Sequence, residues 1–168
     1  LQRIVIPNSA VRISDFRWYE CPKLTSVSGG SKDADCEVID NVLYDKQEHA
    51  LLRAVPNIES CVIPDGITRI GMDAFADCTR LKNVEIPDSV ISIESGAFLN
   101  CTGLTSIVIP DGVLNLGDEE GRGVFSGCSN LKSTVIPESV TRIGPLTFEQ
   151  CTGLTSIEIP DGVVYIGG

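Results

Sequence analysis

The sequence is poor in the groups from which most active sites are assembled. Its single histidine, His49, sits in a polar stretch that reads as a solvated loop. A nucleophile therefore has no general base at hand, and no carboxylate pair or metal-ligand cluster stands out. Neither a catalytic residue nor a metal or cofactor is expected. No apolar run approaches the ~20 residues needed to cross a bilayer, so membrane insertion is not expected either. No leader or lipidation motif is visible, as would also hold for a mature segment. Basic charge is scarce: 13 Lys and Arg stand against 23 Asp and Glu, giving a formal charge of −10 and a pI near 4.4. Nucleic acid and anionic membrane both require a basic surface, so neither is expected as a partner.

What the chain has in abundance is copies of itself. Cys101-Thr-Gly-Leu-Thr-Ser-Ile-Val-Ile-Pro-Asp-Gly112 returns as Cys151 to Gly162 with one change, Val108 against Glu158. Looser copies begin at Cys78 and Cys128. Pro64 to Pro87, Pro87 to Pro110 and Pro137 to Pro160 are each 23 residues apart. The interval of 27 from Pro110 to Pro137 holds a loop lengthened by four residues around 118–121, an insertion that loops absorb cheaply. Other columns keep step with the proline. An aliphatic residue follows (Ile13, Ile70, Ile93, Leu116, Ile143, Ile166), usually with glycine next (Gly71, Gly117, Gly144, Gly167). An aromatic comes later (Trp18, Phe75, Phe98, Phe125, Phe148), then a cysteine. One unit stacked several times predicts a solenoid whose coils pack mainly on their neighbours. Leu1 already lies inside a repeat and Gly168 just past the glycine column, so residues 1–168 are expected to form a single array belonging to a longer one.

Five of the seven cysteines (Cys21, Cys78, Cys101, Cys128, Cys151) occupy one column. Whole coils separate them, not the two to four residues of a metal knuckle, so they read as a reduced ladder lining the interior, with zinc as the alternative. Cys61 takes the inward position held by Val84 and Ile107 and reads as core. Cys36 lies in a polar insert, where a disulfide remains open. Thr134 stands in the same inward column as Ile107 and Ile157, and its hydroxyl should need a buried partner.

Along the chain, Leu1 to Ile6 reads as a short strand followed by a turn at Pro7, and Leu24 and Val27 begin the next strand. Ser28-Gly-Gly-Ser-Lys-Asp33 then replaces the proline turn, and the repeat resumes only at Ile58. Within the insertion at 31–57, Val42-Leu-Tyr44 and Ala50-Leu-Leu52 flank a polar stretch and predict a β-hairpin that projects from the array. From Ile58 each coil reads as a strand, a proline turn, a second extended piece and a short helical corner through the aromatic. Gly144-Pro145 supports that corner, since proline suits a first helical position.

The pattern C-x-x-L-x-x-I-x-I-P-[DE]-x-V-x-x-I-G-x-x-x-F resembles the BspA-like leucine-rich repeat of bacterial surface proteins over nearly the whole chain. Asp40-Asn-Val-Leu-Tyr-Asp-Lys46 resembles a hairpin common in that family, with Asn41 in place of glycine. The resemblance implies an α/β repeat: a curved, right-handed leucine-rich-repeat solenoid, with a strand plus a short helical or 3-10 turn per coil and an inserted β-hairpin. It also implies a cell-surface or secreted protein, since members are described as adhesins that bind host proteins or other bacteria.

Two surfaces could carry function. The acidic column after the proline (Asn8, Asp65, Asp88, Asp111, Glu138, Asp161) would stack carboxylates ~4.8 Å apart. Turn chemistry explains it, with calcium as the alternative. The outward strand positions are the binding candidate, and they should form one continuous β surface. They are Lys82, Asn83 and Glu85; Thr105, Ser106 and Val108; Lys132, Ser133 and Val135; and Thr155, Ser156 and Glu158. A protein partner is expected there, with a glycan as the alternative although no aromatic ring is present for stacking. A structural spacer whose binding sites lie elsewhere is the competing expectation, and open coil ends predict end-to-end self-association.

Overall fold

The computed structural model describes residues 1–7, 21, 23–29, 35–119 and 121–168. The expectations for Asn8, Ile13, Trp18 and residues 31–34 lie outside them. Arg3–Ile6 (β1) pairs in parallel with Ser26–Gly29 (β2), Ile4 opposite Val27. Three antiparallel strands follow: Cys36–Ile39 (β3), Val42–Asp45 (β4) and Ala50–Ala54 (β5). From there two short strands alternate in every coil but the last, which has only the second. Ser60–Val62 (β6) precedes Arg69–Ile70 (β7), Asn83–Glu85 (β8) precedes Ser92–Ile93 (β9), and Ser106–Val108 (β10) precedes Asn115–Leu116 (β11). Ser133–Val135 (β12), Arg142–Ile143 (β13) and Tyr165–Ile166 (β14) complete the series. The parallel coils wind into a right-handed solenoid.

Each coil turns where its sequence demands. A central inward residue between two outward ones gives period-two strands. The proline that follows cannot donate to a ladder, and its carbonyl closes a turn instead: Val90 N–H donates to Pro87 O at 3.1 Å and Val113 N–H to Pro110 O at 3.0 Å. After the turn the chain enters the second face, an eight-stranded sheet ordered β14-β13-β11-β9-β7-β5-β4-β3. Its inward residues stack in register, Ile70 on Ile93, Ile93 on Leu116 and Leu116 on Ile143. The glycine column lets these coils close up. A Cβ at Gly71 would lie 2.9 Å from Leu51 O, and one at Gly144 would lie 2.7 Å from Asp118 O. With glycine in place, Gly71 N–H reaches Leu51 O at 2.8 Å and Gly144 N–H reaches Leu116 O at 2.7 Å.

The first face is less regular than expected. Its strands form separate two-stranded ladders, β1–β2, β6–β8 and β10–β12, rather than one continuous sheet. β8 and β10 lie side by side without a ladder between them. The close-approach glycines that flank these strands, Gly103, Gly112, Gly153 and Gly162, recur in only some coils, and the inward residues vary in size from Cys61 through Val84 to Ile107.

The third side departs from the expected helical corner: no helix or 3-10 segment occurs among the described residues. The donors show why. Ala76 N–H bonds within the coil, to Asp73 O, and Cys78 N–H to Phe75 O. The N–H groups between them point out to the next coil, Phe75 to Ala97 O at 2.7 Å and Asp77 to Leu99 O at 2.8 Å. Phe98 and Asn100 likewise donate to Val124 O and Ser126 O, and Phe125 and Gly127 to Thr147 O and Glu149 O. A helix would need those donors for itself. Left-handed backbone at Asp77, Asn100 and Gln150 (φ of 61°, 57° and 55°) breaks the helical path in each coil. Leu146, following Pro145, is also left-handed at φ 56°, so Gly144-Pro145 starts a turn and not a helix.

The β4–β5 hairpin does not project. β5 pairs in parallel with β7, Leu51 opposite Ile70, and carries β4 and β3 into the second-face sheet. Val42, Tyr44, Leu51 and Ala54 pack into the main core. Their apolar surface needs cover, and the edge of β7 supplies ladder partners. Asp40 and Asn41, both at positive φ, make the two-residue loop between β3 and β4, the arrangement favoured by right-twisted hairpins. Asn41 is more than a tolerated replacement for glycine. Its Oδ1 accepts Val27 N–H at 3.1 Å and ties the insert to β2.

The interior is organised by aromatic stacking. Phe75 and Phe98 stack with ring centroids 5.1 Å apart and planes 6° from parallel. Phe125 lies 5.5 Å beyond Phe98, and Phe148 a further 5.6 Å. Phe75, Phe98 and Phe125 are fully buried, and Phe148 is partly so.

Candidate binding face

All twelve outward residues named from the sequence are exposed. β10 and β12 bring Ser106 opposite Ser133 and Val108 opposite Val135. β6 and β8 bring Ser60 opposite Asn83 and Val62 opposite Glu85. Thr155, Ser156 and Glu158 continue the columns in the next coil, which forms no ladder with β12. Ser60 and Val62 occupy the same columns and belong to the face, although the sequence reading began it one coil later. The two-residue alternation from Ile58 was the signal that identified them. Valine dominates the middle column: Val62, Val108 and Val135 are 66%, 80% and 77% exposed.

Two depressions mark this face. One of about 210 Å³ lies between β10 and β12, lined by Ser106, Ile107, Val108, Ile109, Ser133, Thr134 and Val135. A neighbouring one of about 430 Å³ lies between β12 and the following coil, from Lys132 and Glu138 to Glu158 and Asp161. Thr134, on the floor of both, donates its hydroxyl to Ile107 O at 3.2 Å, which satisfies the partner its half-buried position requires.

The charges are sorted by edge. Lys82 and Lys132 stand at the beginning of the strands, and Lys82 reaches Glu59 at 3.4 Å beside the Arg80–Glu59 pair. At the other edge Asp65, Asp88, Asp111, Glu138 and Asp161 are all exposed. None of these five takes part in an ion pair among the described residues. Other cations are engaged away from this face: Arg69 pairs with Glu94 at 2.9 Å and Arg142 with Glu119 at 2.8 Å on the second face. Arg142 also lies 4.6 Å over the Tyr165 ring. Arg122, from the lengthened loop, reaches across an intervening coil to Asp73. The acidic row is a line of single carboxylates, one per coil. Among the described residues no group of three or more His, Cys, Asp or Glu converges as a metal site would require.

The cysteine column is a ladder of thiols. Cys101 donates to Phe75 O, Cys128 to Phe98 O and Cys151 to Phe125 O, each at 3.1 Å, and Cys78 to Val55 O at 3.5 Å. Burial pushes the Cys78 and Cys128 thiols up to about 12 and raises Cys101 and Cys151 as well. Cys61 is pushed up to about 11, first by burial, and its sulfur lies 3.9 Å from the buried Tyr44 hydroxyl. Thiols held neutral this way are poor nucleophiles. His49 is exposed in the β4–β5 loop, and its backbone carbonyl accepts Thr68 N–H at 2.8 Å. Cys36 is buried in β3.

Parallel coils of one short repeat, built around stacked columns of aliphatic, aromatic and thiol side chains, define a leucine-rich-repeat solenoid. The chain belongs to the BspA-type leucine-rich-repeat family, whose model matches six copies over residues 48–168. Among solved structures it is similar to a leucine rich cell surface protein from Faecalibacterium prausnitzii, 34% identical with a TM-score of 0.69. That match covers 100% of this chain and 48% of the other. It is also similar to a leucine-rich repeat protein from Bacteroides ovatus, 30% identical with a TM-score of 0.61, over 77% of this chain and 37% of that one. A T. pallidum leucine-rich repeat protein is 29% identical with a TM-score of 0.60, over 70% of this chain and 61% of that one. The chain thus spans less than two thirds of each of these proteins. A comparison with curated proteins found no match.

Proposed function

We propose that this chain is a non-catalytic binding module of a surface or secreted protein, and that it engages a protein partner, in the manner of an adhesin, through the first face. One observation carries the reading: the side chains of β6, β8, β10 and β12 put short polar groups and three exposed valines on a single surface, while the ionic pairs that neutralise charge lie mainly on the other sides. Short side chains lose little entropy when a partner orders them. The F. prausnitzii relative is described as a cell surface protein, which supports the extracellular location. No helix among the described residues is long and apolar enough to cross a membrane.

The test is binding to a panel of extracellular-matrix proteins and glycans, with and without calcium. A variant carrying Lys82→Ala, Glu85→Ala, Lys132→Ala and Glu158→Ala is run beside it. Saturable binding that is lost in the folded variant supports the reading. Binding that survives these changes removes it.

The second reading is a spacer, favoured by the continuous backbone bonding along the second face and the third side, which stiffens the array. A chain that binds nothing on the panel favours it. Copies of the chain also associate end to end in this reading, because Val164 and Ile166 at β14 are 86% and 60% exposed beside unpaired strand groups.

A further inference from the structure

We propose that the first face takes an extended protein segment bearing lysine or arginine, whose aliphatic side chains settle between Val108 and Val135 while its cations lie along the acidic row. This deepens, and rests on, the reading of that face as a protein-binding surface. Three observations carry it. The depression between β10 and β12 is roofed by two valines that nothing covers. The turn edge of the same face holds Asp88, Asp111, Glu138 and Asp161, all exposed and none ion-paired among the described residues, and Glu138 and Asp161 line the neighbouring depression. No lysine or arginine occupies that acidic column in any of these coils.

The row and the valines run in the same direction, across the coils, so the occupant crosses them too. Coils recur about every 4.8 Å and an extended segment presents same-side residues about every 6.6 Å. Flexible lysine and arginine stems absorb that difference. Other ligand chemistries fit worse. A polyanion meets like charge, a sugar finds no aromatic ring on the face among the described residues, and a metal ion finds no converging oxygens. Each exposed carboxylate contact is weak alone. Affinity therefore comes from several contacts together and must fall with salt.

The experiment uses fluorescence anisotropy with a labelled dodecapeptide in which Lys and Val alternate. Parallel probes replace every Lys by Glu, or every Val by Ser. A row variant carries Asp88→Asn, Asp111→Asn, Glu138→Gln and Asp161→Asn. A control variant loses the same number of charges from other sides of the coil: Glu37→Gln, Glu48→Gln, Glu119→Gln and Glu149→Gln. Circular dichroism confirms that each is folded. The expected result is saturable binding of the Lys-Val peptide that weakens at least about tenfold in the row variant and in Val108→Ser/Val135→Ser, but less than about threefold in the control. The Glu probe should not bind, the Ser probe should bind at least about tenfold more weakly, and salt should weaken the Lys-Val complex.

Equal losses in the row and control variants reduce the effect to bulk charge and overturn the proposal. So does binding of the Glu probe in preference, or failure of the Lys-Val peptide to bind at all. In each of those cases the face remains a protein-binding surface if panel binding is still lost with the alanine variant. If that loss is also missing, the broader reading falls with the narrower one.

Discussion

Replacing Phe98 by leucine tests whether the aromatic column couples neighbouring coils. Phe98 is fully buried and stacks on two rings, at 5.1 Å to Phe75 and 5.5 Å to Phe125. Each aromatic pair is worth about 0.5–1.5 kcal/mol beyond area burial, so losing both removes about 1–3 kcal/mol. The smaller side chain adds about 1 kcal/mol of lost burial and cavity. The expected cost is about 2–4 kcal/mol, which for a chain of this length lowers Tm by about 10 °C. Phe148 provides the internal control. It is partly exposed and has a single stacking partner, Phe125, at 5.6 Å. Phe148→Leu should therefore cost only about 1 kcal/mol. Urea titration followed by far-UV circular dichroism measures both, and the Phe98 variant should also broaden the transition as the blocks on either side unfold less cooperatively. Equal costs for the two variants, or less than about 1 kcal/mol for Phe98→Leu, would refute the idea that stacked rings transmit stability from coil to coil.

Gly144→Ala should destabilise by about 2–3 kcal/mol in the same titration, because its Cβ would press on backbone at Asp118 O and disturb a ladder bond. The thiol ladder predicts a pH dependence. Burial pushes Cys78 and Cys128 up to about 12 from an ordinary value of 9.0. Between about pH 9 and 12 the unfolded chain sheds protons that the fold retains, so stability is flat below that window and falls within it. Urea midpoints measured against pH should show the fall, and Cys78→Ala with Cys128→Ala should make it shallower. A thiol-reactive dye at pH 8 should leave Cys78, Cys101 and Cys128 unlabelled until urea is added. Static light scattering should show mass rising with concentration, and Val164→Lys with Ile166→Lys should suppress the rise.

The coil was legible because its inward residues must recur whenever it does. Ile70, Ile93, Leu116 and Ile143 announced a ladder, and Phe75 through Phe148 announced a stacked column. The corner was misread because glycine fills its left-handed position before the cysteine only at Gly127, with Asp77, Asn100 and Gln150 in the other coils, and because its donors serve the next coil. That arrangement leaves no trace in local propensity. β3 was missed since Cys36-Glu-Val-Ile39 is short and follows a Gly-Ser-rich run. The hairpin's union with β7 depends on which edge stands open nearby. The Arg122–Asp73 pair joins residues 49 apart, far beyond any local pattern. The first face was legible as a surface from alternation alone. Its partner was not, since outward residues answer to a molecule the chain does not contain.

On the third side every backbone coil-to-coil bond named above runs one way: the N–H belongs to the earlier coil and the carbonyl to the later one. On the second face the direction reverses, and the later coil donates, from Gly71 N–H to Leu51 O and from Gly144 N–H to Leu116 O. Each coil therefore offers its predecessor carbonyls on one side and N–H groups on another, like a two-pin plug that fits only one way round. The array has a built-in polarity, and a coil laid on in reverse would set donor against donor on one side and acceptor against acceptor on the other.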